Sequence, residues 1–151
     1  MADKTVAQNR KATHDFEIIE RVEAGIVLTG SEIKAIREGK ASLQEAFARP
    51  ERGEMWLLGA HIARYGPATY FGHEPGRPRK LLLRRAQINE LSREVDQKGL
   101  TLVPLRLYLK DGLAKVELGL GRGRRQYDKR QVIAKREADR EMQRALRTRN
   151  R

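Results

Sequence analysis

Positive charge is concentrated at one end of this chain, and that end cannot belong to a hydrophobic core. Residues 122–151 hold 12 basic and 4 acidic side chains, a net charge of +8, whereas residues 1–121 hold 20 and 16, a net charge of +4. Burying so many unpaired cations is prohibitively costly, so a packed body must come from the first 121 residues. The sequence therefore predicts one domain followed by a basic tail.

The overall charge narrows the classes of partner. A net charge of +12 on 151 residues favours a polyanion, with nucleic acid first and an anionic membrane surface second. The chain has no cysteine, which excludes disulfides, thiolate metal sites and cysteine nucleophiles. Its apolar runs fall far short of the roughly 20 residues that span a bilayer, and its first residues lack the apolar region of a signal peptide. We expect a cytoplasmic protein that does not enter membranes.

Apolar alternation predicts a body made mostly of short strands. Period-two alternation over residues 15–22 and a β-branched run over residues 25–29 predict two strands. Residues 50–53 predict the turn of a hairpin, and Trp56 beyond them is expected to anchor the core.

The strongest hairpin signal is Asp111-Gly112. Leucines alternate with polar residues before it and alternate again after it, over residues 102–109 and 116–120. About six short strands joined in this way favour a mainly β fold with some α, a small closed antiparallel barrel with flanking helices.

Two helices are predicted within the body. Ser31 is a suitable N-cap, Glu32 lies in the first turn where the helix dipole favours a carboxylate, and Gly39 suits the C-terminal end. A second helix is predicted over residues 84–98 and ends at Gly99.

These patterns divide the chain into three parts. Residues 1–13 are expected to be a flexible basic arm, residues 14–121 the barrel domain, and residues 122–151 the tail. A run of alternating glycines over residues 119–123 is interpreted as a hinge between barrel and tail. Residues 59–79 are rich in glycine and proline, and a loop of that length is typically functional or disordered.

The tail has the pattern of a conditional helix. Between residues 128 and 147 there is no proline or glycine, and at helical spacing a thin, mostly alanine seam lies opposite a basic face. Such a seam stabilises a helix poorly, so we expect a tail that is mobile when free and helical against a polyanion. The alternative is a solvated helix packed on the barrel. Tyr127, beside two cations, either stacks on an unpaired base or covers the barrel edge.

No catalytic or metal-binding constellation is apparent. The three histidines, His14, His61 and His73, lie in separate elements, and no serine lies in the context of a nucleophile elbow. In a strongly basic chain this favours a binding protein over an enzyme, without a cofactor or a small-molecule substrate. Two other classes stay open: a structural ribosomal protein whose tail threads ribosomal RNA, and an RNA-processing enzyme with an unrecognised active site.

Several segments resemble one family in the same order along the chain. These are Asn9 to Phe16, Glu23 to Leu28, Gly30 to Arg37, Arg79 to Leu83, Lys98 to Leu105, Lys115 to Leu120 and Tyr127 to Arg130. Together they resemble the SmpB family, the SsrA-binding proteins of bacterial trans-translation.

The resemblance implies an oligonucleotide-binding-like (OB-like) barrel and a specific set of partners. The barrel would bind the tRNA-like domain of transfer-messenger RNA (tmRNA, or SsrA RNA) in place of the missing anticodon arm. With elongation factor Tu, it would help to deliver alanyl-tmRNA to stalled ribosomes. The tail would fold as a helix in the empty mRNA channel of the small subunit and be read at the A site by 16S ribosomal RNA.

The resemblance also implies two sets of contact residues. For tmRNA it implies Asn9, Lys11, His14 and Glu32, and we add the nearby cations Lys34, Arg37, Arg79 and Lys80, since clustered basic residues suit a phosphate backbone. For the decoding centre and mRNA channel it implies Tyr127, Asp128, Lys129 and Arg130, and the basic residues of the predicted tail helix add Lys135, Arg136, Arg140 and Arg144. From its type alone, Glu32 either serves the helix dipole or accepts a hydrogen bond from RNA.

Overall fold

The computed structural model describes residues 4–64, 73–123, 137–138 and 140–145. Its elements are β1 (Lys4–Gln8), α1 (Arg10–Asp15), β2 (Phe16–Ile26), α2 (Gly30–Arg37), β3 (Ala41–Ser42), β4 (Phe47–Glu51), β5 (Glu54–Leu58), β6 (His61–Ile62), β7 (Arg79–Leu82), α3 (Arg85–Lys98), β8 (Thr101–Lys110) and β9 (Leu113–Gly123).

The strands form a ring. Pairing runs in the order β8-β4-β5-β7-β2-β9 and returns to β8, because β8 also pairs with β9. All of these pairings are antiparallel, and they confirm the mainly β, barrel-like prediction. The ring is joined narrowly at Ala48 opposite Leu102, the one residue pair that links β4 to β8.

Apolar side chains fill the inside of this ring. Leu57, Leu81, Leu102 and Leu118 are each about 1 % exposed or less, and Ile36 of α2 and Leu91 of α3 pack in the same cluster. A buried residue of this size contributes roughly 1.5–3 kcal/mol through the hydrophobic effect. Trp56, predicted to anchor the core, is only partly buried, because its neighbours Met55 and Leu57 occupy the inward positions of β5.

The N-terminal segment is not a loose arm. Residues 4–8 form β1 and pair with β8. Sequence periodicity does not reveal this pairing, because the two strands are about 100 residues apart. Asn9 follows at 5 % exposure, and α1 then packs on the outer face of the barrel, where Ala12, Val103 and Leu105 form a second small cluster. The prediction of a flexible arm over residues 1–13 is therefore wrong for the described residues from Lys4 onward.

The two strands predicted over residues 15–22 and 25–29 are joined in one strand, β2, which ends at Ile26. It pairs with β9 from Phe16 to Gly25, with a bulge between Ile18 and Glu20. The ladder continues regularly through residues 23 and 24, where the sequence pattern predicted a break between two strands.

The glycines interpreted as a hinge lie within β9. Gly119 and Gly121 are buried, and a Cβ atom at either would come within about 3.0 Å of Leu105 or Phe16 side-chain atoms. Because these glycines have no side chain, Phe16, Ile18 and Leu105 of the second cluster pack directly against the backbone of β9. The strand continues to Gly123, so the predicted boundary at 121 falls two residues early.

Local signals were more reliable at helix ends and hairpins. Gly99 ends α3 in the left-handed conformation at φ 64°, as predicted. Asp111 and Gly112 both have positive φ, as do Arg52 and Gly53, which is the type I′ turn of a two-residue hairpin. Helix α2 begins two residues earlier than predicted, with Thr29 in place of Ser31 as its N-cap.

The tail is described in part. Residues 137–138 and 140–145 are helical and exposed, and Met142 is 70 % exposed. Of the predicted ribosome contacts, Arg140 and Arg144 lie in this stretch; Tyr127, Asp128, Lys129, Arg130, Lys135 and Arg136 lie outside the described residues.

Gly59 provides a test of the packing beside the ring. Gly39 and Gly59 both have φ +75°, but a Cβ at Gly59 would lie 2.6 Å from the Glu45 carbonyl oxygen, whereas Gly39 has nothing within 4 Å. We expect Gly39→Ala to cost about 1–2 kcal/mol of unfolding free energy for its backbone conformation. Gly59→Ala should cost about 1–3 kcal/mol more, since the backbone must also shift. Urea denaturation measures both, and equal losses would contradict this packing.

Candidate nucleic-acid interface

The N-terminal end of α2 is closed by a reciprocal cap. The Thr29 side-chain oxygen accepts a hydrogen bond from the Glu32 amide at 3.4 Å, and Glu32 Oε1 accepts one from the Thr29 amide at 2.8 Å. This is the capping box of a Thr-x-x-Glu sequence, which satisfies two amides that the helix leaves unpaired. The cap turns the Glu32 carboxylate back toward the barrel.

Two arginines meet that carboxylate. Arg79 Nε donates to Glu32 Oε2 at 2.5 Å, and Arg77 Nε donates to the same oxygen at 3.1 Å. Arg77 Nη2 also pairs with Glu32 Oε1. The side chains of Glu32 and Arg79 are 0 % exposed, whereas that of Arg77 is 30 % exposed. We call these three residues the Glu32 triad.

Arg79 extends the triad into the neighbouring backbone. Its Nη1 donates to the carbonyl oxygens of Ala60 at 3.0 Å and Arg77 at 3.2 Å. Its Nη2 donates to those of Pro75 at 3.0 Å and Glu74 at 3.4 Å. One buried guanidinium therefore ties β7 to the chain before β6 and to the turn that precedes β7.

His73 makes a parallel connection beside the triad. Its Nε2 lies 2.7 Å from the Ile62 carbonyl oxygen, which can only accept, so Nε2 carries the proton and donates. In the neutral ring, Nδ1 then accepts from the Ser31 hydroxyl at 2.9 Å. Helix α2, β6 and the segment from residue 73 onward are thus joined at two adjacent points.

The surroundings set the ionisation of Glu32. Burial alone raises the pKa of this carboxyl, but hydrogen bonds from Arg77, the Thr29 amide and Arg79 outweigh it and lower the pKa from 4.5 to about 2. Burial lowers the pKa of Arg79 and its bonds with Glu32 oppose that shift. The pair is consequently fully charged at neutral pH.

The predicted tmRNA contacts fall into two groups by exposure. Lys11, His14, Lys34 and Arg37 are exposed and Lys80 is partly buried, whereas Asn9, Glu32 and Arg79 are buried. Lys11 pairs with Glu45 at 3.6 Å, and Lys80 with Glu54 at 3.0 Å. Exposed pairs of this kind are worth about 0–1 kcal/mol, so these cations can exchange partners for phosphate at little cost.

Asn9 has a structural position. Its Nδ2 donates to the carbonyl oxygens of Leu43 and Pro104, both at 3.0 Å, and its side-chain oxygen accepts from the Ala12 amide to cap α1. Asn9 is therefore occupied in holding α1 against β8 and the turn after β3. Asn9, Glu32 and Arg79 are all occupied by hydrogen bonds within the protein, which their residue types alone did not reveal.

Sequence reasoning also missed members of the site. Arg77 was not among the predicted contacts, and His73 was one of three histidines in separate elements, whereas the fold brings both to α2. The signal available in advance was Thr29-x-x-Glu32, a capping box that fixes where the carboxylate turns. Its arginine partners come from positions 45 and 47 residues away, and such distant pairing has no local signature.

Two further findings concern the described residues as a whole. Within them, no cluster of three or more His, Cys, Asp or Glu side chains could hold a metal ion. None of the helices in that part of the chain is long and apolar enough to cross a membrane.

A cationic cleft lies between α1 and the outer face of the sheet. It has a volume of about 160 Å³, and Arg10, Arg21 and Arg106 line it together with Glu117. Glu117 bridges two strands, accepting from Arg21 at 2.9 Å and from Arg106 at 3.3 Å. Its carboxylate neutralises part of the charge of this cleft.

The low pKa of Glu32 gives a prediction about acid stability. Stabilisation from its ion pairs is complete above pH 4.5 and is lost as the pH falls toward 2, an effect on the order of 3 kcal/mol. Glu32→Gln should be less stable at pH 7 and should lose less between pH 5 and pH 2 than the unaltered chain. Urea denaturation across that range measures both.

The matched control is Glu54→Gln, which removes a carboxylate that is 44 % exposed and paired with Lys80. It should leave the acid dependence nearly unchanged. A Glu32→Gln chain with the same acid dependence as the unaltered chain would refute the assigned role of the triad.

Comparison with known proteins identifies the family. The family model for SmpB protein matches residues 6–148. The SsrA-binding protein of Desulforudis audaxviator is 54 % identical over 145 residues, which cover 96 % of this chain and 95 % of that protein. The SsrA-binding protein of Thermobifida fusca is 55 % identical over 146 residues, covering 97 % and 91 %.

A solved structure supports the same relationship. A chain reported under the heading "tmRNA-SmpB: a journey to the center of the bacterial ribosome" matches with a TM-score of 0.65 and 50 % sequence identity, covering 77 % of this chain and 82 % of that one. The family resemblance carried by the sequence segments is thereby confirmed. With its ring of strands, its capped α2 and matches along nearly its whole length, this chain belongs to the SmpB family of SsrA-binding proteins.

Proposed function

We propose that this protein binds tmRNA and acts in trans-translation, the rescue of stalled bacterial ribosomes. The observation that carries the proposal is 54 % identity, over 96 % of the chain, to a protein named for binding SsrA RNA. A structural relative at 50 % identity comes from work on tmRNA-SmpB and the bacterial ribosome. At such identity and coverage, related chains generally keep their partner.

The barrel is the tmRNA-binding part of the molecule. Its exposed polar side chains, Lys11 and His14 on α1 and Lys34 and Arg37 on α2, are suited to contacts with phosphate and sugar. The body has a net charge of only +4 over residues 1–121, so shape must contribute much of its selectivity. In this proposal the barrel binds the tRNA-like domain and occupies the place of an anticodon arm.

The tail acts on the ribosome. Its net charge of +8 suits a channel lined by 16S ribosomal RNA, and the helical residues 140–145 present Arg140 and Arg144. Together with Lys135 and Arg136, they contact the RNA wall of the mRNA channel. Tyr127, Asp128, Lys129 and Arg130 contact the A site. Elongation factor Tu is the partner that delivers alanyl-tmRNA together with this protein.

In this role the protein is a binding factor, not a catalyst. It needs no cofactor and no small-molecule substrate, since each proposed step is recognition of RNA by shape and charge. Its place of work is the cytoplasm, where ribosomes translate.

RNA preference separates this function from that of a structural ribosomal protein. At a matched salt concentration of about 150 mM, the full chain should bind the isolated tRNA-like domain of tmRNA more tightly than 16S ribosomal RNA fragments of equal length, by at least about tenfold. Filter binding or fluorescence anisotropy measures both. A preference for the ribosomal fragments would favour the structural ribosomal protein instead.

Truncation after Gly123 separates the roles of barrel and tail. The cut leaves β9 intact, because this strand ends at Gly123 opposite Phe16. The shortened chain should keep its affinity for the tRNA-like domain within about threefold when salt is matched, yet fail to support peptide tagging in a reconstituted stalled-ribosome assay. Loss of affinity for the tRNA-like domain would contradict this division, as would normal tagging.

A further inference from the structure

Glu32 and Arg79 have no free surface from which to contact RNA. Both side chains are 0 % exposed. Each Glu32 oxygen already accepts at least two hydrogen bonds, from Thr29, Arg77 and Arg79. Arg79 donates to four carbonyl oxygens in addition to Glu32. An RNA group could reach either residue only by breaking this buried network.

Arg77 is the member of the triad that meets solvent. Its side chain is 30 % exposed, and its guanidinium is held by both oxygens of Glu32. It also donates to the Pro78 carbonyl oxygen at 3.2 Å and to that of Val27 at 3.5 Å. Two arginines and one carboxylate leave a net charge of +1, and the exposed part of that charge is at Arg77.

Such an arrangement prepares a cation for binding. A free arginine side chain loses up to roughly 2 kcal/mol of rotamer entropy when a ligand immobilises it, and Arg77 has already lost much of that freedom on folding. Of the five donors of its guanidinium, two are held by Glu32 and two by the carbonyl oxygens of Val27 and Pro78, which leaves one N–H of Nη1. Arg77 is therefore suited to a phosphate oxygen.

The buried pair explains how Arg77 is held in place. Buried ion pairs often add little net stability, because desolvation offsets the attraction between the charges, but they fix one arrangement of the chain. Here the arrangement joins the N-terminal end of α2 to residues 73–80, the segment that carries Arg77.

We propose that Arg77 is an additional RNA-contact residue, and that Glu32 and Arg79 are positioning residues that hold it and the 73–80 segment against α2 without touching RNA. This inference rests on the proposed tmRNA-binding function. It assigns to Glu32 and Arg79 an indirect role in place of the direct contacts predicted from the sequence.

The first test removes the Arg77 charge and compares it with a matched surface change. Arg93 is exposed on α3, so Arg93→Gln alters the net charge equally without altering the triad. Arg77→Gln should weaken binding of the tRNA-like domain about tenfold, as for loss of a charged hydrogen bond. It should also make the slope of log K against log salt shallower by about 0.7–0.9. Arg93→Gln should change affinity less than twofold.

The second test separates positioning from contact. Glu32→Gln keeps the size of the side chain and removes its charge. We expect weaker RNA binding together with faster amide hydrogen exchange over residues 73–80 in the free full-length protein. In the Glu32→Gln background, Arg77→Gln should cause little further loss, because the two residues act as one unit. Arg79→Lys should reproduce the exchange result even if Glu32→Gln folds poorly.

Each outcome has a definite reading. Arg77→Gln and Arg93→Gln binding equally well would overturn the contact role of Arg77. Weaker binding by Glu32→Gln with unchanged exchange, and with an additive effect of Arg77→Gln, would show that Glu32 touches RNA itself. If the unaltered chain does not bind the tRNA-like domain at all, the proposed function fails and this inference fails with it.

Discussion

One carboxylate, shared by two guanidinium groups and a helix cap, fixes helix α2 against strand β7 and the turn before it. Glu32 lies where α2 begins, and its partners lie on β7 and in the turn before it. Removing either charge would leave the other buried and uncompensated, which costs far more than the intact pair contributes. The Glu32 triad is thus less a source of stability than a constraint on which arrangement of α2 and β7 the chain can adopt.

The barrel carries structure on both faces of its longest hairpin. Leu102 and Leu107 of β8 belong to the interior cluster, while Val103 and Leu105 belong to the small cluster beneath α1. Residues 102–105 are buried without interruption for this reason. An irregularity in the ladder between Pro104 and Arg106 changes the alternation, so that Leu105 and Leu107 belong to different clusters although they are two residues apart. Covering the second face requires α1 and β1, so the N-terminal residues are part of the domain.

Sequence reasoning succeeded where the determinant is local and failed where it is distant. The end of α3 at Gly99 and the turn at Asp111-Gly112 follow from backbone preferences within a few residues. The placement of β1 depends on a partner about 100 residues away, and the burial of Glu32 depends on arginines contributed by another element. Composition separated the basic tail from the body because charge density needs no knowledge of contacts. The exposed cations of the candidate site could be identified by residue type. Residue type could not show which polar residues, such as Asn9, Glu32 and Arg79, are buried and hydrogen-bonded within the protein.

The pairing of β2 with β9 also affects how the chain folds during synthesis. Phe16 and the rest of β2 cannot pair with β9 until Gly123 and the residues before it, about 100 positions later, have been synthesised. Until then β2 has no β9 to cover one of its edges, and β1 likewise lacks β8. Closing such distant contacts is entropically slow, so the barrel can form only after nearly the whole body has emerged from the ribosome. A protein proposed to rescue stalled ribosomes is therefore itself one whose barrel cannot close unless translation proceeds past Gly123.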